Sequence, residues 1–169
     1  MSRPTPPLSR RRSGPRVRRG GLDGAIYTWG DSYDHADGWR ANTWQGSFPV
    51  RDDAADGYSG TAPVGCFPPN GYGLFDMAGN VWEYTRDWFV PGHPSQPTTN
   101  PTGPDAPAAE RLAGPSGPSV VVKGGSWLCS PDFCLRYRPA ARQPQELSLG
   151  SNHIGFRTVW REPAHREDR

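Results

Sequence analysis

The chain has 169 residues, enough for one domain of ordinary size and too few for two. Its 34% hydrophobic content, with 21 Gly and 20 Pro, borders on low complexity, yet seven Trp, six Tyr and six Phe are costly to leave in water and imply a loop-rich folded core. The net charge of +2 conceals a lopsided distribution: residues 1–19 carry seven Arg and no acid, and the rest is net negative.

That leader of Pro, Ser and Arg has no apolar stretch, so it is no secretory signal, and no run of apolar residues spans a membrane. It reads as a solvated disordered tail. Arg without interleaved aromatics gives little support for a nucleic-acid-binding arm. Three cysteines and no signal point to a reducing compartment without a permanent disulfide framework. The domain is expected over residues 20–162, followed by a polar tail over 163–169.

Along the chain, Ala25–Trp29 alternates briefly and predicts a short strand that Gly30-Asp31 ends. Asp31, Asp34 and Asp37 lack the alternate-position spacing of an EF-hand. Residues 40–50 show no helical period, and Trp44 and Phe48 read as buried anchors on irregular backbone. Asp52, Asp53 and Asp56 form an acidic cluster, either a solvated loop or a metal site. Thr61–Val64 predicts a short strand, and Cys66 reads as an ordinary buried thiol. Leu74–Trp88 is the best candidate for a helix-containing segment, although Gly79-Asn80 interrupts it and Val81–Tyr84 suits a strand equally well. It carries Asp76 and Glu83 among apolar neighbours, and such carboxylates need a cationic partner, an Arg or a metal. Residues 89–118 read as a long loop, Val120–Lys123 as a strand, Leu135–Arg142 as a brief alternation and Asn152–Val159 as a final strand.

Cys129 and Cys134 carry the most specific chemistry. Separated by four residues, they would sit roughly 140° apart on a helix and on opposite faces of a strand, so only a turn unites them. Ser130-Pro131-Asp132 supplies one. A disulfide, a soft-metal site and a redox centre are all open to such a pair. The four histidines are scattered without ligand spacing.

Three blocks then resemble a known family. Gly71-Tyr-Gly-Leu-Phe-Asp-Met-Ala-Gly-Asn-Val-Trp-Glu-Tyr84, Lys123-Gly-Gly-Ser-Trp127 and Asn152-His-Ile-Gly-Phe-Arg157 are similar to the sulfatase-modifying-factor domain, the common module of formylglycine-generating enzymes. The resemblance runs from about Arg19 to Val159 and covers part of the family module, whose front portion is expected to be missing. It implies an α+β fold with low regular secondary structure, C-type-lectin-like in character. The cysteine pair after the Gly-Gly-Ser block, continued by Arg136-Tyr-Arg138 and Ala140-Ala-Arg142, is similar to that of active members.

What the resemblance implies is an oxidase that uses O2 to convert a cysteine in a Cys-x-Pro-x-Arg segment of an unfolded sulfatase polypeptide to Cα-formylglycine. Cys129 and Cys134 would hold copper(I), with Ser126 and Asn152 in the neighbouring groove. Soft, close thiolates suit copper(I). Two structural Ca2+ ions are implied as well: the first on Asn42, Asp56 and the carbonyls of Thr43 and Tyr58, the second on Asp76, Glu83 and the carbonyls of Gly79 and Val81. The alternative for Asp76 and Glu83 is ion pairing with Arg157 or Arg86. Pro139 stands where some secretory relatives carry a structural cysteine, which fits a cytoplasmic, bacterial-type enzyme; a monomer is expected, with no nucleic-acid or membrane partner. The same blocks also occur in members without the activity, so the competing reading is a non-catalytic binding module or an inactive fragment.

Overall fold

The computed structural model describes residues 17–34, 36–93, 103–111, 113 and 117–160. The expected tail over 163–169 and most of the Arg-rich leader lie outside these residues. Among them, regular structure is sparse: β1 (Trp82–Trp88), α1 (Ala106–Arg111), β2 (Ser119–Lys123), β3 (Gln143–Glu146) and β4 (Ile154–Gly155). The strands form one sheet in the order β3-β2-β1-β4. β1 and β3 run antiparallel to β2, and the two-residue β4 runs parallel to β1, setting Trp82 beside Ile154 and Glu83 beside Gly155.

β2 is central, which explains why Val120, Val121, Val122 and Lys123 are all buried rather than alternating. Around it packs a cluster of Tyr27, Ala41, Ala78, Trp82, Val122, Cys129 and Tyr137. The cysteine turn is thus anchored in the main core.

Several local expectations give way to long-range bonding. Leu74–Val81 holds no helix. Asp76, Gly79 and Asn80 all take positive φ, and the backbone there serves distant loops instead. Gly79 N donates to Gly124 O at 2.9 Å, Asn80 N to Asn42 O at 2.8 Å, and Trp127 N to Asn80 O at 2.9 Å. Thr61–Val64 is not a strand, because the Asn80 side chain takes the place of a strand partner: its Oδ1 accepts from Ala62 N at 2.9 Å and its Nδ2 donates to Ala62 O at 3.1 Å. Ala25–Trp29 contributes only the isolated bridge Tyr27–Gly30. Leu135–Arg142 forms turns, and the strand lies just beyond it at Gln143–Glu146, where Pro144 is tolerated because β3 is an edge. α1 begins at Asp105, whose Oδ1 accepts from Ala108 N at 2.8 Å as an N-cap.

The packed chain reaches back to Val17, three residues before the boundary expected at residue 20. Val17–Arg19 belongs to the packed chain, with Arg18 buried and Asn70 Nδ2 donating to Val17 O at 2.8 Å. Cys66 is corrected, from buried to exposed; its sulfur accepts from Tyr58 Oη at 3.3 Å.

Candidate active site

The turn expected at Ser130-Pro131-Asp132 is built by Ser130, which is fully buried. Its carbonyl accepts from Phe133 N at 3.2 Å and Cys134 N at 2.9 Å, while its Oγ accepts from Asp132 N at 3.2 Å. Proline at the second position fits because its φ suits a turn and it has no N–H to satisfy. Upstream, Cys129 N donates to Ser126 O and Trp44 N donates to Cys129 O, which pins the first thiol to the core. The result brings the two sulfurs to 2.7 Å, with Cys129 buried and Cys134 partly exposed. All three cysteines are free in the structure, with no S–S bond between Cys129 and Cys134.

The environments of the two sulfurs push them apart. Cys129 keeps its proton, because its hydrogen bond to Cys134 and its burial both raise it. Cys134 is pushed down to about 6, first by the hydrogen bond it accepts from Cys129, then by backbone N–H groups at Arg136 and Ser130 and by the Arg136 charge, with burial opposing. A thiolate beside a thiol at neutral pH is a soft, nucleophilic pair. One proton must leave before both sulfurs can bind a metal.

Ser126 is buried beneath the turn, its Oγ accepting from Leu128 N at 3.3 Å. It shapes the backbone that carries Cys129. Asn152 is exposed on the turn before β4, and no contact ties it to the two sulfurs; Ile154, two residues on, packs against the core cluster that includes Cys129. Sequence reasoning missed Tyr137. It is buried beside the dithiol, its ring lies 5.9 Å from Tyr27 and 5.7 Å from Tyr33, and its hydroxyl has no hydrogen-bond partner among the described residues. Burial raises that phenol well above its ordinary value. Next to the turn lies a shallow cavity of about 180 Å³ lined by Tyr33, Trp39, Trp44, Gln45, Pro131 and Asp132.

Among the described residues, no three Asp, Glu, His or Cys side chains converge as a metal cluster. A copper(I) site would rest on the two sulfurs; their softness and the partial exposure of Cys134 suit that ion, and the sulfurs would move apart from 2.7 Å to flank it. The residues of the first Ca2+ set are brought together, although Thr43 O accepts from Gln45 Nε2. Asp56 draws its surroundings together, accepting from Thr43 N at 3.0 Å, Gln45 Nε2 at 2.9 Å and Tyr58 N at 3.0 Å. Asn42 Nδ2 donates to Gly60 O and to Asn80 Oδ1, which fixes the orientation of its amide. Its Oδ1 is buried with no donor among the described residues, an acceptor suited to a hard cation.

The second set does not fit. Asp76 Oδ2 accepts from Gly65 N at 2.8 Å, and the Glu83 carboxylate is held by Arg18 at 2.7 Å and by Arg157. Pairing with Arg157 was one of the two partners anticipated. Arg86 is exposed on β1, and Arg18 takes its place. No helix of the described residues is long and apolar enough to cross a membrane.

Comparison with known proteins supplies the lineage. Residues 16–162 match the sulfatase-modifying factor enzyme 1-like domain. The formylglycine-generating enzyme of Mycobacterium tuberculosis is 50% identical over 143 residues, covering 83% of this chain and 46% of that protein. Its Bos taurus counterpart is 44% identical, covering 82% of this chain and 34% of that protein. A Mus musculus protein named inactive Cα-formylglycine-generating enzyme 2 is 35% identical, covering 82% and 38%. The chain therefore spans under half the length of these relatives. Among solved structures, PvdO from Pseudomonas aeruginosa superposes with a TM-score of 0.61 at 25% identity over 87% of this chain and 50% of that one. Treponema denticola variable protein 1 gives 0.60 at 24% identity over 84% and 42%, a likeness of fold. On the extent of the family match and the identity to its curated relatives, this chain belongs to the sulfatase-modifying factor enzyme 1-like family.

Proposed function

We propose that this chain carries the dithiol centre of a formylglycine-generating oxidase, which converts a cysteine in a Cys-x-Pro-x-Arg segment of an unfolded sulfatase to Cα-formylglycine with O2. The observation that carries the reading is the pair of free sulfurs 2.7 Å apart on a hydrogen-bonded turn, one buried in the core and one partly exposed. Relatives named as the active enzyme are 44–50% identical, against 34–35% for those named inactive, which favours the catalytic reading over a binding module.

In this reading Cys129 and Cys134 are the copper ligands. Copper(I) held there would supply the redox chemistry toward O2 and the substrate thiol. The chain's own contribution is positional and electrostatic. Ser130 fixes the turn, and Ser126 fixes the backbone under Cys129. The hydrogen bond with Cys129, then the backbone N–H groups and Arg136, push the Cys134 thiol down to about 6, so its sulfur would be ready to serve as a copper ligand, while Cys129 would have to give up its proton to serve as the second. The substrate backbone would lie across the partly exposed Cys134, with an apolar side chain in the aromatic cavity beside Pro131.

The test is to load the reduced protein with copper(I), add a Cys-x-Pro-x-Arg peptide under air and follow aldehyde formation by mass spectrometry. Turnover by the wild type and its loss in Cys134→Ser are expected. No product from a folded, copper-loaded sample, or full turnover by Cys134→Ser, would overturn the reading.

A further inference from the structure

Glu83 sits buried at the start of β1, and both of its carboxylate oxygens are filled by arginine. Oε2 accepts from Arg18 Nη2 at 2.7 Å and from Arg157 Nε at 2.8 Å; Oε1 accepts from Arg157 Nε at 2.8 Å and from Arg157 Nη2. Three N–H groups thus engage both oxygens, the Arg157 Nε–H being shared between them, against about four lone-pair positions on a carboxylate. The same guanidiniums also occupy the carbonyls of the preceding turn. Arg18 Nη1 donates to Met77 O, and Arg157 Nη2 to Phe75 O at 3.2 Å and Asp76 O at 3.1 Å.

Charge points the same way. Arg18 and Arg157 supply two positive charges, which balance Glu83 and the nearby Asp76, whose field acts on Arg157. A Ca2+ ion would need six to eight oxygens, and with both guanidiniums in place it would add two positive charges beside the buried Arg18, although Arg157 itself is exposed. Arg18 cannot easily withdraw: it is 5% exposed, and Gly124 packs so closely that a β-carbon there would lie 2.6 Å from Arg18 Nη1.

We infer that this chain closes the Glu83 site with the guanidiniums of Arg18 and Arg157 in place of Ca2+, so that protein groups alone tie β1 to segments 65 and 74 residues away. The inference stands apart from the oxidase reading, since it concerns occupancy and not turnover.

Equilibrium dialysis of the reduced protein against Ca2+, with a metal count, tests it. At most one Ca2+ per chain is expected, and Asp56→Asn should abolish it. Two per chain, or one that survives Asp56→Asn, overturns the inference. A second measurement needs no variant: the Arg157 Nε–H resonance, held between both Glu83 oxygens, should stay in place through a Ca2+ titration. Its displacement as Ca2+ binds would likewise overturn the inference.

Discussion

At Gly79, where φ is +71°, a β-carbon would stand 2.2 Å from the carbonyl oxygen of Asn42. That approach lets Asn80 N reach the same carbonyl and lets Gly79 N reach Gly124 O, so the Gly-Asn-Val-Trp-Glu and Lys-Gly-Gly-Ser-Trp blocks are joined to each other and to the Asn42 loop. The blocks that mark the family are the places where three irregular segments cross.

Gly79→Ala should therefore be strongly destabilising. The left-handed backbone costs an L-residue about 1–3 kcal/mol, and a β-carbon inside van der Waals contact adds a further 1–3 kcal/mol of overpacking. Urea unfolding should show a loss of about 2–5 kcal/mol. A change below about 1 kcal/mol would mean the Asn42 loop can retreat freely.

Cys134 should be the reactive thiol. In a Cys66→Ser background, alkylation at Cys134 should follow thiolate population, rising through about pH 6 and levelling off above it. Cys129 should lag at every pH. In Cys129→Ala the donor that holds the thiolate is gone, so the Cys134 midpoint should move up toward the ordinary cysteine value of about 8.5. Peptide mapping of the labelled protein reads both effects, and a wild-type midpoint already near 8.5 would contradict the hydrogen bond between the sulfurs.

Lys123 should make stability depend on alkaline pH. Its Nζ donates to Ala141 O at 2.7 Å, and burial, reinforced by Arg18 and Arg142 and opposed by Asp87, pushes the ammonium down to about 8 from 10.5. Between those values the unfolded chain binds more protons, so stability rises with pH across that window. Below pH 8 the cost of the buried charge is fully present; above 10.5 both states are neutral. Lys123→Met should thus gain stability at pH 7, by at most roughly 3 kcal/mol less the lost bond to Ala141. The gain should shrink from pH 8 to 10.5, and a pH-independent difference between variant and wild type would contradict the shift.

Removing the anion of the arginine cluster should be far more damaging than removing a surface one. Glu83→Gln leaves Arg18 buried without a counter-charge and should cost about 3–5 kcal/mol. Asp53→Asn breaks the exposed Arg51–Asp53 bridge and should cost well under 1 kcal/mol. Chemical denaturation of both variants gives the comparison; equal effects would place Glu83 in a solvated setting.

Where structure was governed by neighbours in sequence, it was legible. β2 follows from its valines, and the dithiol turn from Ser130-Pro131-Asp132. Where a segment's hydrogen bonds go to distant groups, local patterning misled. Leu74–Val81 and Thr61–Val64 have acceptable propensities for helix and strand, but Asn80 redirects the bonds of both. β3 was hidden because Gln-Pro-Gln-Glu is polar and contains proline, tolerable only on an edge that the tertiary arrangement creates.

By itself the sequence determined the family, the turn that unites Cys129 and Cys134, and the need of a buried Glu83 for cationic partners, because turn chemistry and the cost of buried charge act locally; Asp76, expected to need one too, is met by the Gly65 N–H instead. Tertiary structure alone decided which cations those are and how deep each sulfur lies. Arg18 and Arg157 stand far from Glu83 along the chain, and no local pattern ties them to it. Cys129 and Cys134 differ in ionisation because one is packed under the Tyr27–Tyr137 cluster and the other faces solvent beside Arg136, a difference made by packing and not by spacing.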